Sequence, residues 1–142
     1  MSLTLEDISK TMRHIDLCML TTKKPDGALE SRPMSNNKQV DYDGDSYFFT
    51  TADSSAAREI EADPQVNIAF TQLPSLISGG FFLSVTGKAE LIDDKAEFEK
   101  HWVKDIEAWF KDGIDTPGLR LIKVKARVLK YWHNYEEGEL FV

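Results

Sequence analysis

Three features of this 142-residue chain have the types and spacing to do chemistry: Arg32 in a half-polar stretch, the hydroxyl pair Thr50-Thr51, and the serines Ser54 and Ser55 at the start of a short helical segment. Each is a device for holding an anion. A guanidinium offers a rigid fork of N–H donors, and a helix start offers backbone N–H groups with hydroxyls beside them. Arg32 runs into Pro33, Met34 and Ser35. Proline cannot donate to a ladder, so the strand carrying it should have an edge or an irregularity there, with backbone groups available to a heterocycle. Together these features point to a phosphate-bearing ligand. Each also has a plain structural account, since Arg32 can pair with one of 24 acidic side chains and Ser54 can simply cap its helix. Asp53, at the same helix start, would compete with a bound phosphate.

Other chemistries find less support. His14, His101 and His133 are scattered, and nothing pairs them with cysteine or carboxylate at ligand spacing, so no metal site is expected. The chain has no Gly-x-Ser-x-Gly elbow, no glycine-rich dinucleotide fingerprint and no phosphate-cradling glycine-lysine loop. Asp93-Asp94 and Glu136-Glu137 fall at turns and helix starts, where carboxylates serve capping and solubility. No residue is assigned a catalytic role.

Composition narrows the function classes. Apolar residues make up 42% and charged residues 29%, as in ordinary globular chains, so one domain over 1–142 is expected. Net charge is −7, which repels a phosphate backbone and argues against nucleic-acid binding. Cys18 is the sole cysteine, so no intrachain disulfide can form; within Leu17-Cys18-Met19-Leu20 it reads as a small buried hydrophobe. The first ten residues lack the basic and apolar regions of a signal peptide, and no apolar run has the length to span a bilayer. A cytoplasmic protein with no membrane partner is the expectation.

The elements that must position these residues follow from period and punctuation. Thr4 caps a short amphipathic helix over about 4–14, with Leu5, Ile8, Met12 and Ile15 at helical spacing. Residues 17–22 and 28–35 form a hairpin around Pro25-Asp26-Gly27. Residues 46–51 are aromatic and β-branched, a strand, before a helix from Ser54 to Glu61 stopped by Asp63-Pro64. Val66, Ile68 and Phe70 mark another strand, and Phe81 to Leu91 a longer one bent or bulged at Gly87. Asp93 caps a helix continuing to about Phe110. Ile122, Val124, Ala126 and Val128 alternate with cations in a strand that is greasy on one face, and Tyr131 to Val142 adds one more after a Glu136-Glu137-Gly138 turn. Six or seven strands at hairpin spacing predict a mainly β fold, an antiparallel sheet closed into a small barrel with short helices at its ends.

The order of Arg32-Pro33-Met34, Phe48-Phe49-Thr50, Glu59-Ile60 with Asp63-Pro64-Gln65-Val66-Asn67, Gly87-Lys88-Ala89-Glu90-Leu91, Trp109-Phe110 and Tyr131-Trp132 resembles the general stress protein branch of the pyridoxamine 5′-phosphate oxidase-like, FMN-binding split-barrel family. The resemblance covers nearly the whole chain. It implies a six- to seven-stranded antiparallel split β-barrel, a homodimer with two sites at the subunit interface, and non-covalent FMN, with FAD as the alternative. By position, Arg32 would contact the flavin phosphate or ribityl chain. The backbone of Pro33, Met34 and Ser35 would face the ring, Phe49 and Thr50 would match a strand-end pair near the cofactor, and Ser54 and Ser55 a phosphate-binding segment. One departure stands out: Ala56 occupies the place where the family carries a lysine, leaving Arg58 or Lys38 to supply positive charge.

The resemblance implies a flavin-dependent oxidoreductase with a stress-related role. It would serve a small-molecule electron donor or substrate, and the substrate stays open. In such a site the flavin carries the redox chemistry, so the lack of a dedicated acid, base or nucleophile is consistent. Two alternatives remain, a non-catalytic protein binding or sensing flavin or a small anion, and a barrel that has lost its cofactor.

Overall fold

The computed structural model describes residues 2–36 and 41–142. Thr4 opens α1 (Leu5–Met12) with a reciprocal cap: its Oγ1 accepts the Asp7 N–H at 3.1 Å, and Asp7 Oδ2 accepts the Thr4 N–H at 2.9 Å. Ile8 and Met12 put the buried stripe of α1 into the core. Seven strands follow, β1 (Leu17–Lys23), β2 (Leu29–Ser35), β3 (Asp45–Thr51), β4 (Gln65–Gln72), β5 (Phe81–Ile92), β6 (Leu119–His133) and β7 (Glu136–Phe141). Helix α2 (Ser55–Ala62) lies between β3 and β4, and α3 (Lys95–His101) between β5 and β6.

The strands pair antiparallel in the order β2-β1-β4-β5-β6-β3. The fifteen residues of β6 set the geometry. β5 runs along nearly its whole length, while β3 takes its first half on the other side and β7 its second. Strands β2 and β3 are the two ends of the path, and the gap between them makes this a split barrel. Leu20, Ile68, Val85 and Leu129 fill the interior from four strands, joined by Ile8 and Met12 of α1 and by Ala56 and Ile60 of α2. A second apolar cluster of Phe49, Phe98, Ile106, Leu119 and Leu121 lies under α3 and the chain after it.

Three local expectations need correction. The helix predicted from Asp93 to Phe110 is capped instead by Asp94, whose Oδ1 accepts the Ala96 N–H at 3.0 Å, and it ends at His101. Trp102 and Val103 are extended before a 3-10 turn at Lys104–Ala108. The break lets the Trp102 ring pack edge-on against Phe49 at 4.9 Å, and Val103, β-branched, is at home in extended backbone. The turn placed at Glu136-Glu137-Gly138 is strand; the chain reverses at Asn134 and Tyr135, whose φ values of 49° and 70° match a two-residue hairpin. Finally, Gly87 pairs with Ala126 but Thr86 pairs with Val128, so Arg127 is an extra residue. That bulge turns the inward face of β6 from Ile122 and Val124 to Leu129 and Tyr131, and it leaves Val128 half-buried rather than on the greasy face. Gly87 is needed here, because a Cβ would run into the Lys125 carbonyl.

Candidate functional site

Alternation along β2 places Ser31, Pro33 and Ser35 outward and Arg32 and Met34 toward the interior. The Arg32 guanidinium therefore lies at the inner edge of the split. Its Nη1 donates to the Thr22 hydroxyl at 2.7 Å and the Leu20 carbonyl at 3.2 Å, and its Nη2 meets Glu59 Oε1 at 3.5 Å. Thr22, fully buried, donates in turn to Glu59 Oε1 at 2.7 Å. Glu59 projects from α2, and Glu30 stands 3.8 Å from Arg32 on the other side. The charge of Arg32 is thus matched within its own chain.

The hydroxyls expected at the phosphate end also have partners. Ser54 Oγ caps α2 by accepting the Ala57 N–H at 3.0 Å, and it accepts the Thr50 hydroxyl at 2.8 Å. Thr51 donates to Asp53 Oδ1 at 2.6 Å, and Arg58 Nη1 donates to the Asp53 carbonyl at 2.6 Å. Ser55 faces solvent. Ala56 is 5% exposed and belongs to the core, so the family's lysine position points inward on this helix. Lys38, the other cation considered, lies outside the described residues.

The split encloses the apolar part of the site. Pro33, Met34 and Ser35 on β2, Phe48 and Phe49 on β3, and Ile106, Trp109 and Phe110 from the segment after α3 line a cavity of about 370 Å³, with Leu17 at its mouth. Phe49 is held by its edge contacts with Trp102 and Phe98, whereas Trp109 is 74% exposed and forms a wall rather than core. A second, more polar cavity of about 270 Å³ adjoins it across Phe48, with Tyr42, Ser46, Tyr47 and His101 among its walls. His101 stacks on Tyr47 with ring centres 3.6 Å apart. Burial holds the His101 imidazole below its ordinary 6.5, against the pull of Glu97.

The structure thus joins Pro33, Met34, Ser35 and Phe49 in one cavity, while Arg32, Thr50, Ser54, Ser55 and Arg58 lie outside its lining. Sequence reasoning missed Thr22 and Glu59. The signal was available, because Thr22 is in phase with buried Cys18 and Leu20, and Glu59 sits among the inward residues Ala56 and Ile60. Among the described residues no group of three His, Cys, Asp or Glu could hold a metal ion, and no helix is long and apolar enough to cross a membrane.

Comparison with known proteins adds an independent line. The family model described as "Pyridoxamine 5′-phosphate oxidase like" matches residues 4–142. Protein bli-3 of Neurospora crassa is 27% identical over 136 residues, 89% of this chain; the chain spans 63% of that relative's length. Among solved structures, a Clostridium acetobutylicum protein related to general stress protein 26 superposes with a TM-score of 0.82 at 16% identity, over 97% of this chain and 94% of that one. General stress protein 26 from Bacillus anthracis gives 0.74 at 22% identity, over 97% and 100% of the two chains. A heme binding protein from Mycobacterium smegmatis gives 0.77 at 16% identity, over 99% of this chain and 59% of its own. At these identities the structural likenesses speak for the fold.

Proposed function

Because this chain belongs to the pyridoxamine 5′-phosphate oxidase-like family, we propose that residues 1–142 form one FMN-binding domain that works as a cytoplasmic homodimer and a flavin-dependent oxidoreductase on a small molecule. The observation that carries this reading is the aromatic-walled cavity in the split, where Phe48, Phe49, Trp109 and Phe110 face Pro33 and Met34. A slot of apolar and aromatic walls fits a flat ring system. When bound there, an isoalloxazine supplies the two-electron redox chemistry. The chain's own contribution is to hold the ring against β2, to keep water from its inner face, and to aim the Pro33 carbonyl and the backbone groups of Ser35, which the β1–β2 ladder leaves free, at its polar edge. Thr50, Ser54 and Ser55 at the start of α2 are the hydroxyls that would meet a phosphate. FAD is the alternative flavin.

The homodimer rests on the outer face of the sheet. Rows of outward residues cross four strands: Ser35, Leu17, Thr71 and Phe82, then Pro33, Met19, Ala69 and Ser84, then Ser31, Thr21, Asn67 and Thr86. No charged residue occurs in these three rows, on a chain where 29% of residues are charged; Lys23 and Lys88 stand one row further on, at the far end of the face. The face is knit together, Thr21 to Ser31 and Asn67 Nδ2 to Ser84 Oγ at 2.8 Å. A broad uncharged face suits an isologous contact with a second copy.

Reconstitution with FMN tests the reading. Binding should give a flavin absorption band and quench flavin fluorescence, and a nicotinamide donor should bleach the band under anaerobic conditions. Absence of any flavin band after incubation with excess FMN overturns it. A second reading, flavin or small-anion binding without turnover, is favoured by the pairing of Arg32 with Glu59 and by Ala56. Bound flavin that no donor reduces would select it.

A further inference from the structure

The two cavities that meet at Phe48 differ in charge. The smaller has Arg13, Asp41, Asp45 and Lys100 in its walls. The larger is lined by nine of the described residues, of which none is charged and one, Ser35, carries a side-chain hydroxyl. The cation of β2 offers this slot nothing, since Arg32 turns inward and is matched by Glu59 and Glu30. An ionised group carried into the slot would lose its water and gain no partner of opposite charge. A carbonyl, amide or hydroxyl is in a different position, because the Pro33 carbonyl, the backbone of Ser35 and the Ser35 hydroxyl can bond it.

Trp109 stands on the wall of this slot in an arrangement that suits a flat partner. The 3-10 turn at Lys104–Ala108 ends beneath it. The Trp109 and Phe110 N–H groups both donate to the Ile106 carbonyl, at 3.0 and 3.2 Å, and the Ile106 side chain is buried. Phe110 packs on Trp102 with ring centres 6.3 Å apart, and Trp102 packs on Phe49, so a chain of rings anchors the turn to β3. Trp109 is outside that chain. Among the described residues no ring or cation packs on its indole, which is mostly open to solvent. An unstacked indole on an anchored support, with Pro33 and Met34 opposite, is a platform for a planar group.

From this we infer that the small molecule this site acts on is an uncharged, flat aromatic compound bearing neutral polar substituents, stacked on Trp109, and not a phosphorylated or carboxylated one. The order of the stack rests on the flavin reading: the cofactor ring lies on β2, the substrate ring on its other face, and the indole closes the far side. The selectivity rests on the lining alone. An aromatic ring gains by leaving water and by stacking, whereas a carboxylate or phosphate must give up its hydration with no cation to replace it.

Two probes of one shape and different charge test this: 2-naphthamide, which is uncharged, and 2-naphthoate, which is ionised at neutral pH. In calorimetric titration of the FMN-loaded protein the amide should bind at least about tenfold more tightly than the carboxylate. Trp109→Ala should weaken the amide about tenfold and Trp109→Phe should restore most of that loss. Both variants should keep the parent's far-UV circular dichroism, because the indole is exposed. Equal affinity for the two probes, or tighter binding of the carboxylate, overturns the inference. So does an amide affinity that Trp109→Ala leaves unchanged or that Trp109→Phe fails to restore, and so does a failure of both probes to bind. The same titration without flavin separates the two readings. If the protein takes up no FMN yet binds the amide with the same preference, the selectivity of the slot stands and the flavin reading falls. If the amide binds the flavin-free protein but not the FMN-loaded one, the cofactor ring fills the slot, so the flavin reading stands and the inference is wrong.

Discussion

Arg32 and Glu59 meet inside the barrel, Nη2 to Oε1 at 3.5 Å, and so tie the end strand β2 to helix α2. Both side chains are largely withdrawn from water, and Thr22 completes the coordination of the carboxylate. Removing one partner leaves the other charged and poorly solvated. Glu59→Ala should lower stability by roughly 3–5 kcal/mol, while a joint change of Arg32 and Glu59 to methionine should recover most of that loss. Urea unfolding of the two variants measures both. Equal stability of Glu59→Ala and the parent would mean the pair is solvated in solution.

Ala56 gives a second prediction, with the opposite sign to a surface substitution. Ala56→Lys forces an ammonium into the core beside Ile60 and should cost more than about 2 kcal/mol, read as a lower melting temperature. Ser55 faces solvent at the first turn of the same helix. Ser55→Lys should keep the fold, and it should tighten FMN at low ionic strength but not in high salt. FMN titration at two salt concentrations separates the outcomes. Tighter binding by Ala56→Lys than by Ser55→Lys would reverse this assignment.

Asp7 makes stability depend on pH at the acid end. Its bonds to the Thr4 backbone and hydroxyl hold the carboxyl below its ordinary 3.8, so the unfolded chain takes up the proton first. The stabilising effect is complete above the unfolded value and fades as pH falls through the folded one. Asp7→Asn should therefore flatten the fall of the urea midpoint between about pH 5 and pH 2, and it should matter less at the lower limit than at neutral pH. A parallel fall in parent and variant would assign the acid lability to other carboxylates such as Asp63, which is lowered by its bond from the Gln65 N–H.

Cys18 should be inert in the folded protein. Burial pushes its thiol up to about 12, and its Sγ lies 3.6 Å from the Met34 carbonyl. Alkylation by iodoacetamide at neutral pH should follow the unfolded fraction and accelerate sharply through the urea transition. Rapid labelling in native buffer would show that the β1–β2 hairpin opens on its own.

Much of this architecture was legible in the chain because local signals agreed with tertiary demands. Thr4 with Asp7, the Pro25-Asp26-Gly27 turn, Ser54 and the alternation in β4 each fix an element within a few residues of its observed bounds. What was not legible depended on distant partners. The break at Trp102 is set by Phe49, the face reversal in β6 by a bulge opposite Gly87, and the partner that occupies the Arg32 guanidinium is Glu59, 27 residues away. For the candidate site the same division holds. The cavity residues Pro33, Met34, Ser35 and Phe49 are named by their strands, but the pairing that occupies Arg32 is a property of the closed barrel.

Pro33 has a consequence for the chain's life among many copies of itself. It sits in β2, an open margin of the sheet, where a foreign strand could dock and begin a fibre. Proline brings no N–H to such a ladder and stiffens the backbone around it, so growth by strand addition would stall at that point. A residue that lines the cavity would then also keep this margin closed to polymerisation, and Pro33→Val would be the substitution to watch for fibrillar aggregates.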